Sequence, residues 1–554
     1  MRESIINALY LSIKNFLKQD YPSFPFHDIP INLEATKNQQ HGDVTSNIAF
    51  LLGKRLKKRP IDIAKEIVKQ FQIESNIIER ISVAEPGFIN FSLSNQYWQK
   101  VIDSVIDKAD SYGHSDLGQK KRVLIEFVSA NPTGPLHIGH GRCAAFGDTL
   151  SNLLSATGYN VQNEYYINDA GRQMALLGES ILARYKQIFA PEASFPEDGY
   201  KGDYIKEMAQ RIYEESGDSL LSRPQKGINQ YLSQMASAQI LDNIRKDLAA
   251  FGVHFDNWFS ENSLYESNKV SYVLDLLRNK GLIYEKDGAQ WMNASLLGDQ
   301  KDRVIIRSNG EPTYFASDIA YHQNKYERGY EKLIDIWGAD HHGYVDRVRA
   351  VLKALRHPDE SFSVLLVQMV KLVRHGIQID MSTRRGTFTT LEEVIEEVGT
   401  DVARFFFLLR RHDSHLDFDL DLAKEKSSDN PVYYCQYAHA RICSIEKKAI
   451  NRGFDVAKIE ADTSLLTLDE ERELIKKLDT YPSVINNASQ ALEPHRLTFF
   501  LIELSTLFHK YYNAHRVITK KHQTTMARIK LTRAIKIVLK NCLALLGVSA
   551  PEKM

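Results

Sequence analysis

The chain has 554 residues, 43% of them hydrophobic, with 70 basic and 70 acidic side chains. That length accommodates several domains, and the composition is ordinary for a globular protein. Zero net charge excludes a global attraction to nucleic acid or membrane, so any such surface must be local.

At the start, Ile5, Ile6, Leu9, Ile13, Phe16 and Leu17 recur at helical spacing with polar residues between them, unlike the continuous apolar core of a signal peptide. No run of about 18 apolar residues occurs anywhere, so no membrane span is expected and the expected compartment is the cytosol. A small mixed region follows: the polar loop NQQHGDVTSN, a helical stretch from Ile48 to Phe71, and the strand-like ISVAEPGFINFSL. Gly113 and Gly118 then mark a polar linker.

Beyond the linker the pattern changes. Arg122 to Ser129 is a short apolar run of buried-strand type, and the turn-rich ANPTGP follows it. A helical pattern runs from Leu136 to a stop at Gly158, and Val161 to Ile167 predicts a second strand. Strand, turn, helix, strand is the unit of a doubly wound sheet. Residues 170–300 read as a mostly helical insertion. The stretches DRVIIRS and PTYFAS predict two strands joined at Asn309-Gly310, a strong hairpin signal. Further strands are expected at LIDIW and along FSVLLVQMVKLV. From Asn430 the chain reads as helices, and ten basic residues from Lys510 onward face only Glu552. That run reads as an RNA-contacting surface or as a solvated helix face. The four cysteines, Cys143, Cys435, Cys443 and Cys542, form no C-x-x-C pair, so reduced buried thiols are expected and no structural metal.

The first chemistry-bearing motif is His137-Ile138-Gly139-His140, after a buried strand and a proline-rich turn. A helix start offers amide donors and a positive dipole end to phosphate. Two histidines one turn apart can donate to phosphoryl oxygens, and Gly139 leaves room for an adenine ring. The rival reading is a dinucleotide fingerprint over Gly139, Gly141 and Ala144, but that needs its first glycine in the turn, where ANPTGP stands. No P-loop signature is present.

The stretch EFVSANPTGPLHIGHGR resembles the arginyl-tRNA synthetase form of the class I synthetase HIGH region. Similar blocks follow in the family's order: YYINDAGRQM, PTYFASDIAYH, GADHHGY, MSTRRGTF, LRRHDSHLDFDLDLA, EPHRLTFF and FHKYYNAHRV. HGDVTSNIAF with PGFINF resembles the family's additional tRNA-binding domain. The resemblance implies an α/β protein: a Rossmann-type doubly wound parallel-sheet core, an N-terminal α+β domain and a C-terminal all-α anticodon-binding domain. The implied division is 1–112, 119–375 with its insertion at 170–300, a loop-bearing connection at 376–429, and 430–554.

The resemblance also implies roles. His137, Gly139, His140, Gly338 and Asp340 would hold ATP, with Met381 and Ser382 of the later loop. Asn131 and His341 would meet the backbone groups of L-arginine. Tyr314 and Asp318 would line its guanidinium site, with Glu126 and, by a looser match, Glu261 as further acidic candidates for arginine. Asn47 would contact the tRNA elbow, and Tyr437 and Arg441 the anticodon of tRNA(Arg). ATP with Mg2+ is the expected cofactor set, tRNA-dependent activation the expected behaviour and a monomer the expected state. Blander roles stand beside these: a helix N-cap for Asp318, a core position for Tyr314, and a solvent-facing strand end for Glu126. Adjacent His341 and His342 lack the spacing of zinc ligands. One departure stands out. The family's lysine-bearing loop here reads Met381-Ser382-Thr383-Arg384-Arg385-Gly386, with Thr383 at the second lysine and Gly134 where a compensating lysine sometimes precedes HIGH. Arg384 is then the expected source of charge at the triphosphate, or a tRNA phosphate contact. Two other functions stay open at this point: a small-molecule nucleotidyltransferase of the wider HxGH group, and a synthetase-like RNA-binding protein without catalysis.

Overall fold

The run after Arg122 becomes β1 (Arg122–Glu126), the middle strand of a five-stranded parallel sheet. The computed structural model describes residues 2–554 except 23, 25–30, 37–40, 73–75, 170, 223–224, 380–388 and 457–459. After β1 the chain turns into helix α1 (Ile138–Ala156) and returns as β2 (Asn160–Ile167). The sheet continues with β3 (Asn257–Ser260), and after helix α2 (Tyr314–Glu327) come β4 (Lys332–Gly338) and β5 (Phe362–Val367). The order is β5-β4-β1-β2-β3, so the chain reverses its direction of growth at β1. In such sheets ligands bind at the carboxyl ends of the strands beside that reversal. Here that place lies between Glu126 of β1 and Gly338 of β4, whose strands pair in register from Lys332↔Val123 to Asp335↔Glu126.

Several elements differ from expectation. PTYFAS is not a strand. The turn at Asn309-Gly310 forms, with Gly310 at φ +85°, but the chain makes one bridge, Ile306↔Pro312, and then enters α2. The reason is spacing: Phe315, Ala316, Ile319 and Ala320 are buried together, which one face of a helix achieves and an alternating strand cannot. Within the stretch read as a helical insertion, residues 257–260 are β3 and pair with β2. Three further short strands, Ile283–Lys286, Ala289–Met292 and Arg303–Ile306, form their own antiparallel sheet. FSVLLVQMVKLV breaks at Gln368 into β5 and Val370–Arg374. The helix expected from Ile48 to Phe71 is two, because Lys57 takes a left-handed conformation and Pro60 starts afresh.

Behind the core stand four long helices: α3 (Pro431–Asn451), α4 (Asp469–Ala491), α5 (His495–Ala514) and α6 (His522–Leu545). Asn430 caps α3, accepting from the amides of Val432 and Tyr433, with Pro431 in the first turn. The N-terminal region sits against this bundle. Buried Asp479 of α4 accepts from Arg2 at 2.6 Å and from the Tyr97 hydroxyl at 2.9 Å. All four cysteines are buried and none is disulfide-bonded. Among the described residues, no helix is long and apolar enough to cross a membrane.

α1 lies so close to the sheet that a Cβ on Gly147 would meet Phe127 Cγ at 2.3 Å. Overpacking of that kind costs about 1–3 kcal/mol. Gly147→Ala is therefore expected to lower the midpoint of chemical unfolding; an unchanged midpoint would show that the helix can shift away from the sheet.

Candidate active site

The entrance to α1 is built by its own histidines. His137 is the N-cap residue, and its Nδ1 accepts from the Gly139 amide at 3.1 Å. His140 Nδ1 accepts from the His137 amide at 3.2 Å, and the two rings stack with centroids 3.7 Å apart. An Nδ1 that accepts carries no proton, so each neutral ring keeps its proton on Nε2. Burial pushes both rings toward neutrality, and for His140 the neighbouring His137 adds to it. This revises the expected anion site. The amides of Gly139, His140 and Gly141 are taken up within the helix start itself, by the His137 ring and carbonyl. The space over Gly139 is bounded by the His137 ring itself, 3.0 Å from where a Cβ would lie.

Across the crevice, β4 ends at Gly338 and the chain tightens into a short 3-10 turn, Ala339–Tyr344. A Cβ on Gly338 would come within 2.4 Å of Asp340 Oδ1, so glycine lets that carboxylate fold back over the strand end. Asp340 bears electrostatically on His137, and His341 Nε2 lies 3.6 Å from Asp340 Oδ2. Asn131 is half-buried in the turn between β1 and α1.

α2 supplies the acidic side of the chamber. Thr313 is its N-cap residue and Asp318 its fifth residue, so the capping role for Asp318 does not apply. Among the described residues no hydrogen bond reaches the Asp318 carboxylate. Burial pushes Asp318 up to about 7; His322 pulls against it, Glu261 and Glu126 add to it, and Arg347 opposes it least. Glu261 is 2% exposed and takes hydrogen bonds from Ser317 and Tyr166, and burial raises it too. Two carboxylates held up chiefly by burial, Asp318 further by Glu261 and Glu126 and Glu261 further by Asp169, describe a site that a cation would complete. Tyr314 is 42% exposed rather than core, and its hydroxyl is 3.4 Å from the Arg172 amide.

Glu126 is not a solvent-facing strand end. It is buried, and its carboxylate accepts from Lys325 Nζ at 2.6 Å and from Ser129 Oγ at 3.1 Å. Lys325, fully buried, also reaches Asp335 of β4 at 2.8 Å. His322 bridges the Asp318 carbonyl at 2.8 Å and Asp335 at 2.9 Å. Sequence reasoning missed this network, although its signal was present: Asp318, His322 and Lys325 share one helical face, and Asp335 interrupts an otherwise apolar strand.

The remaining sites lie elsewhere. Asn47 is exposed at the N-cap position of helix Ile48–Leu56, and its side chain makes no cap bond. On α3, Arg441 donates to the Tyr437 hydroxyl at 2.7 Å, and its guanidinium lies 4.4 Å from the Tyr437 ring and 4.7 Å from Tyr512. The basic run is less available than its sequence suggests. Arg528 pairs with Glu471, Lys530 with Asp103, Arg533 and Lys536 with Glu446, and Lys540 with Asp110. Met381, Ser382 and Arg384 lie outside the described residues.

With this geometry in view, three family models match the chain. They are the arginyl tRNA synthetase N terminal domain over residues 4–93, the class I (R) tRNA synthetase catalytic domain over 101–408, and the DALR anticodon binding domain over 435–554. The chain is similar to the arginine–tRNA ligase of Syntrophotalea carbinolica, at 50% identity over 95% of each protein. It is 44% identical to that of Legionella pneumophila subsp. pneumophila, again over 95% of each. The solved Thermus thermophilus arginyl-tRNA synthetase shares its fold, with a TM-score of 0.79 over 99% of this chain and 100% of that one, at 23% identity.

Proposed function

The chain belongs to the arginyl-tRNA synthetase family, and from that we infer that it is an arginine–tRNA ligase, using ATP to activate L-arginine and transferring it to tRNA(Arg). The observation that carries this is the half-identical match to arginine–tRNA ligase along 95% of both chains. A catalytic family domain with intact His137, Gly139 and His140 argues against a non-catalytic RNA binder. Purified protein with arginine, ATP and total tRNA should form arginyl-tRNA and no other aminoacyl-tRNA; charging with a different amino acid would overturn the assignment.

At the level of residues we propose the following. The arginine carboxylate attacks the α-phosphorus of ATP, a P–O bond forms, and the bond to pyrophosphate breaks. His137 and His140 donate Nε2–H bonds to phosphate oxygens as charge develops, and Gly338 and Asp340 border the nucleoside. The chemistry asks mainly for positioning and charge stabilisation. A hydroxyl of the terminal adenosine, the 2′-hydroxyl by class I analogy, then attacks the arginyl carbonyl and releases AMP. Asp318 and Glu261 hold the guanidinium with Tyr314 beside them, while Asn131 and His341 approach the amino-acid backbone. Arg384, with Met381 and Ser382, is proposed to meet the triphosphate.

Among the described residues no three His, Cys, Asp or Glu side chains converge on a metal position. We propose that Mg2+ arrives on the ATP phosphates, as it commonly does. Asn47 is proposed to contact the tRNA elbow, and Tyr437 with Arg441 the anticodon, where rings beside a cation suit unpaired bases. We further propose the domain division given above and a monomer working in the cytoplasm.

Asp318→Asn removes one charged acceptor, worth about 1.5–3 kcal/mol. It should raise the arginine KM by about tenfold or more while leaving the ATP KM near its original value; an unchanged arginine KM would remove Asp318 from the site. Guanidinium binding needs the ionised carboxylate, and the empty site holds Asp318 up to about 7. Arginine affinity should therefore be full above that pH and fall as pH drops through it, about tenfold per unit below. Calorimetry in buffers of different ionisation enthalpy should show proton release on binding near neutral pH.

A further inference from the structure

Under the arginine-reading face of α2 lies a charged cluster that the reaction itself does not use. Lys325 is fully buried, with Glu126 of β1 at 2.6 Å, Asp335 of β4 at 2.8 Å and the Tyr321 ring 4.3 Å below its ammonium. β1 leads to the HIGH histidines and β4 to Gly338 and Asp340, while α2 carries Tyr314 and Asp318. The ammonium thus joins the end of β1 and the middle of β4, the two strands that border the crevice, to the helix that reads the amino acid. We propose that Lys325 is a positioning and specificity-determining residue for arginine: it neutralises the inner carboxylates, Glu126 and Asp335, and fixes α2 so that Asp318 is left as the open acceptor. This rests on Asp318 and Glu261 being the guanidinium acceptors.

The physical case has three parts. First, buried carboxylates without a counter-charge either take up a proton or capture the nearest cation. Glu126 and Asp335 lie on adjacent strands, paired in register, and Lys325 is the cation between them. Without it, the substrate guanidinium would meet a deeper anionic pair competing with the outer one. Second, the cluster is ordered. Asp335 also takes the His322 bond at 2.9 Å, and His322 in turn holds the Asp318 carbonyl, so the inner cluster touches the backbone of the arginine-reading residue. Third, the remaining groups facing Asp318 are accounted for: Glu261 beyond β3, Glu126 of β1, His322 on α2, Arg347 of helix Val345–Leu355, and the phenols of Tyr166 and Tyr265. Glu126 is the one member common to both the Lys325 pair and the field at Asp318.

The test uses the full-length enzyme with Lys325→Ala and Lys325→Met, measuring KM for arginine and for ATP in aminoacylation. Each variant should raise the arginine KM by about tenfold or more while the ATP KM moves less than about twofold. Ethylammonium chloride should restore part of the arginine KM of Lys325→Ala, whose cavity it can enter. It should not do so for Lys325→Met, whose side chain fills that space, nor improve the wild type; tetramethylammonium should have no effect. Glu126→Gln keeps Asp335 as partner to the ammonium and should shift the acid limb of kcat/KM for arginine to lower pH. A folded Lys325 variant with an unchanged arginine KM would overturn the proposal. So would equal rises in both KM values with no response to ethylammonium and no shift of the acid limb in Glu126→Gln, which is the pattern of a merely structural contact. If Lys325→Ala does not fold, Lys325→Met and Glu126→Gln decide. Should Asp318→Asn leave the arginine KM unchanged, the guanidinium assignment fails before Lys325 is reached; should Asp318→Asn raise it while the Lys325 variants do not, only the role of Lys325 fails.

Discussion

The molecule depends on a reversal at one strand. β1 sits in the middle of a parallel sheet, with the earlier strands β2 and β3 on one side and the later β4 and β5 on the other. All five point the same way, so their carboxyl ends open a crevice where the connecting segments part to opposite sides. Several of the groups proposed to bear on the chemistry hang from that edge. His137 follows β1 by one turn, Asp340 follows β4 by two residues, and Glu261 follows β3 directly. α2 enters between β3 and β4 and brings Asp318 beneath them. A strand buried on both faces must be apolar, which is why Val123, Leu124 and Ile125 are all fully or almost fully buried. Charge resumes at the end of β1 as Glu126, and its in-register partner Asp335 places a second carboxylate in the middle of β4.

How much of this could be read beforehand follows from the range over which each signal acts. The β1–α1–β2 unit was legible because buried strands, proline-rich turns and glycine stops are local. α3 was legible for the same reason, since Asn430-Pro431 is a helix start in itself. PTYFAS was misread because aromatic and β-branched residues beside a hairpin turn favour a strand locally, whereas the packing of Phe315, Ala316, Ile319 and Ala320 is decided by the surrounding core. The helical pattern of residues 170–300 concealed β3, whose four residues carry no alternation strong enough to separate them from their neighbours. The candidate residues His137, His140, Asp318 and Glu261 could be named from resemblance. Their states could not: that the histidines satisfy their own helix start is a matter of ring geometry that the motif does not spell out, and that Glu126 is already paired depends on Lys325, far away in sequence.

The basic C-terminal run shows the same limit for charge. Counted along the chain it is almost unopposed, yet five of its ten members find acids from three other segments: Asp103 and Asp110, Glu446, and Glu471. Two of those acids belong to the helical region that precedes the linker. The run therefore spends half its charge fastening the bundle together and holding the N-terminal region against it, with Arg2, Tyr97 and Asp479 as the buried part of the same contact. Partly exposed pairs of this kind are individually weak. A set of them around one buried acceptor fixes relative orientation, and the two regions so joined are those proposed to meet the elbow and the anticodon of one tRNA. Fixed spacing between them is a condition for reading both ends of a rigid ligand at once.

On the proposed assignment of Asp318 and Glu261, selectivity for arginine turns on how the site holds negative charge while empty. An open carboxylate in a buried chamber is costly unless it is partly neutralised, and the chamber answers in two ways. The inner acids are neutralised permanently by Lys325, an ammonium that cannot leave. The outer acid, Asp318, held up to about 7 by burial, would on the proposed assignment exchange its proton for the arriving guanidinium. A guanidinium suits that exchange, because it is planar, permanently charged and offers paired donors. A neutral isostere such as citrulline offers no charge to displace the proton, and on binding would leave carboxylates buried without a counter-ion. Rejection then comes from what the wrong ligand fails to satisfy, and that penalty is large because the acids are already desolvated. The same reasoning explains why the inner cluster must be closed. Had Glu126 and Asp335 been open as well, a single guanidinium could have settled on either pair, and depth in the chamber, which sets the distance from the amino-acid carboxylate to the α-phosphate, would not have been determined.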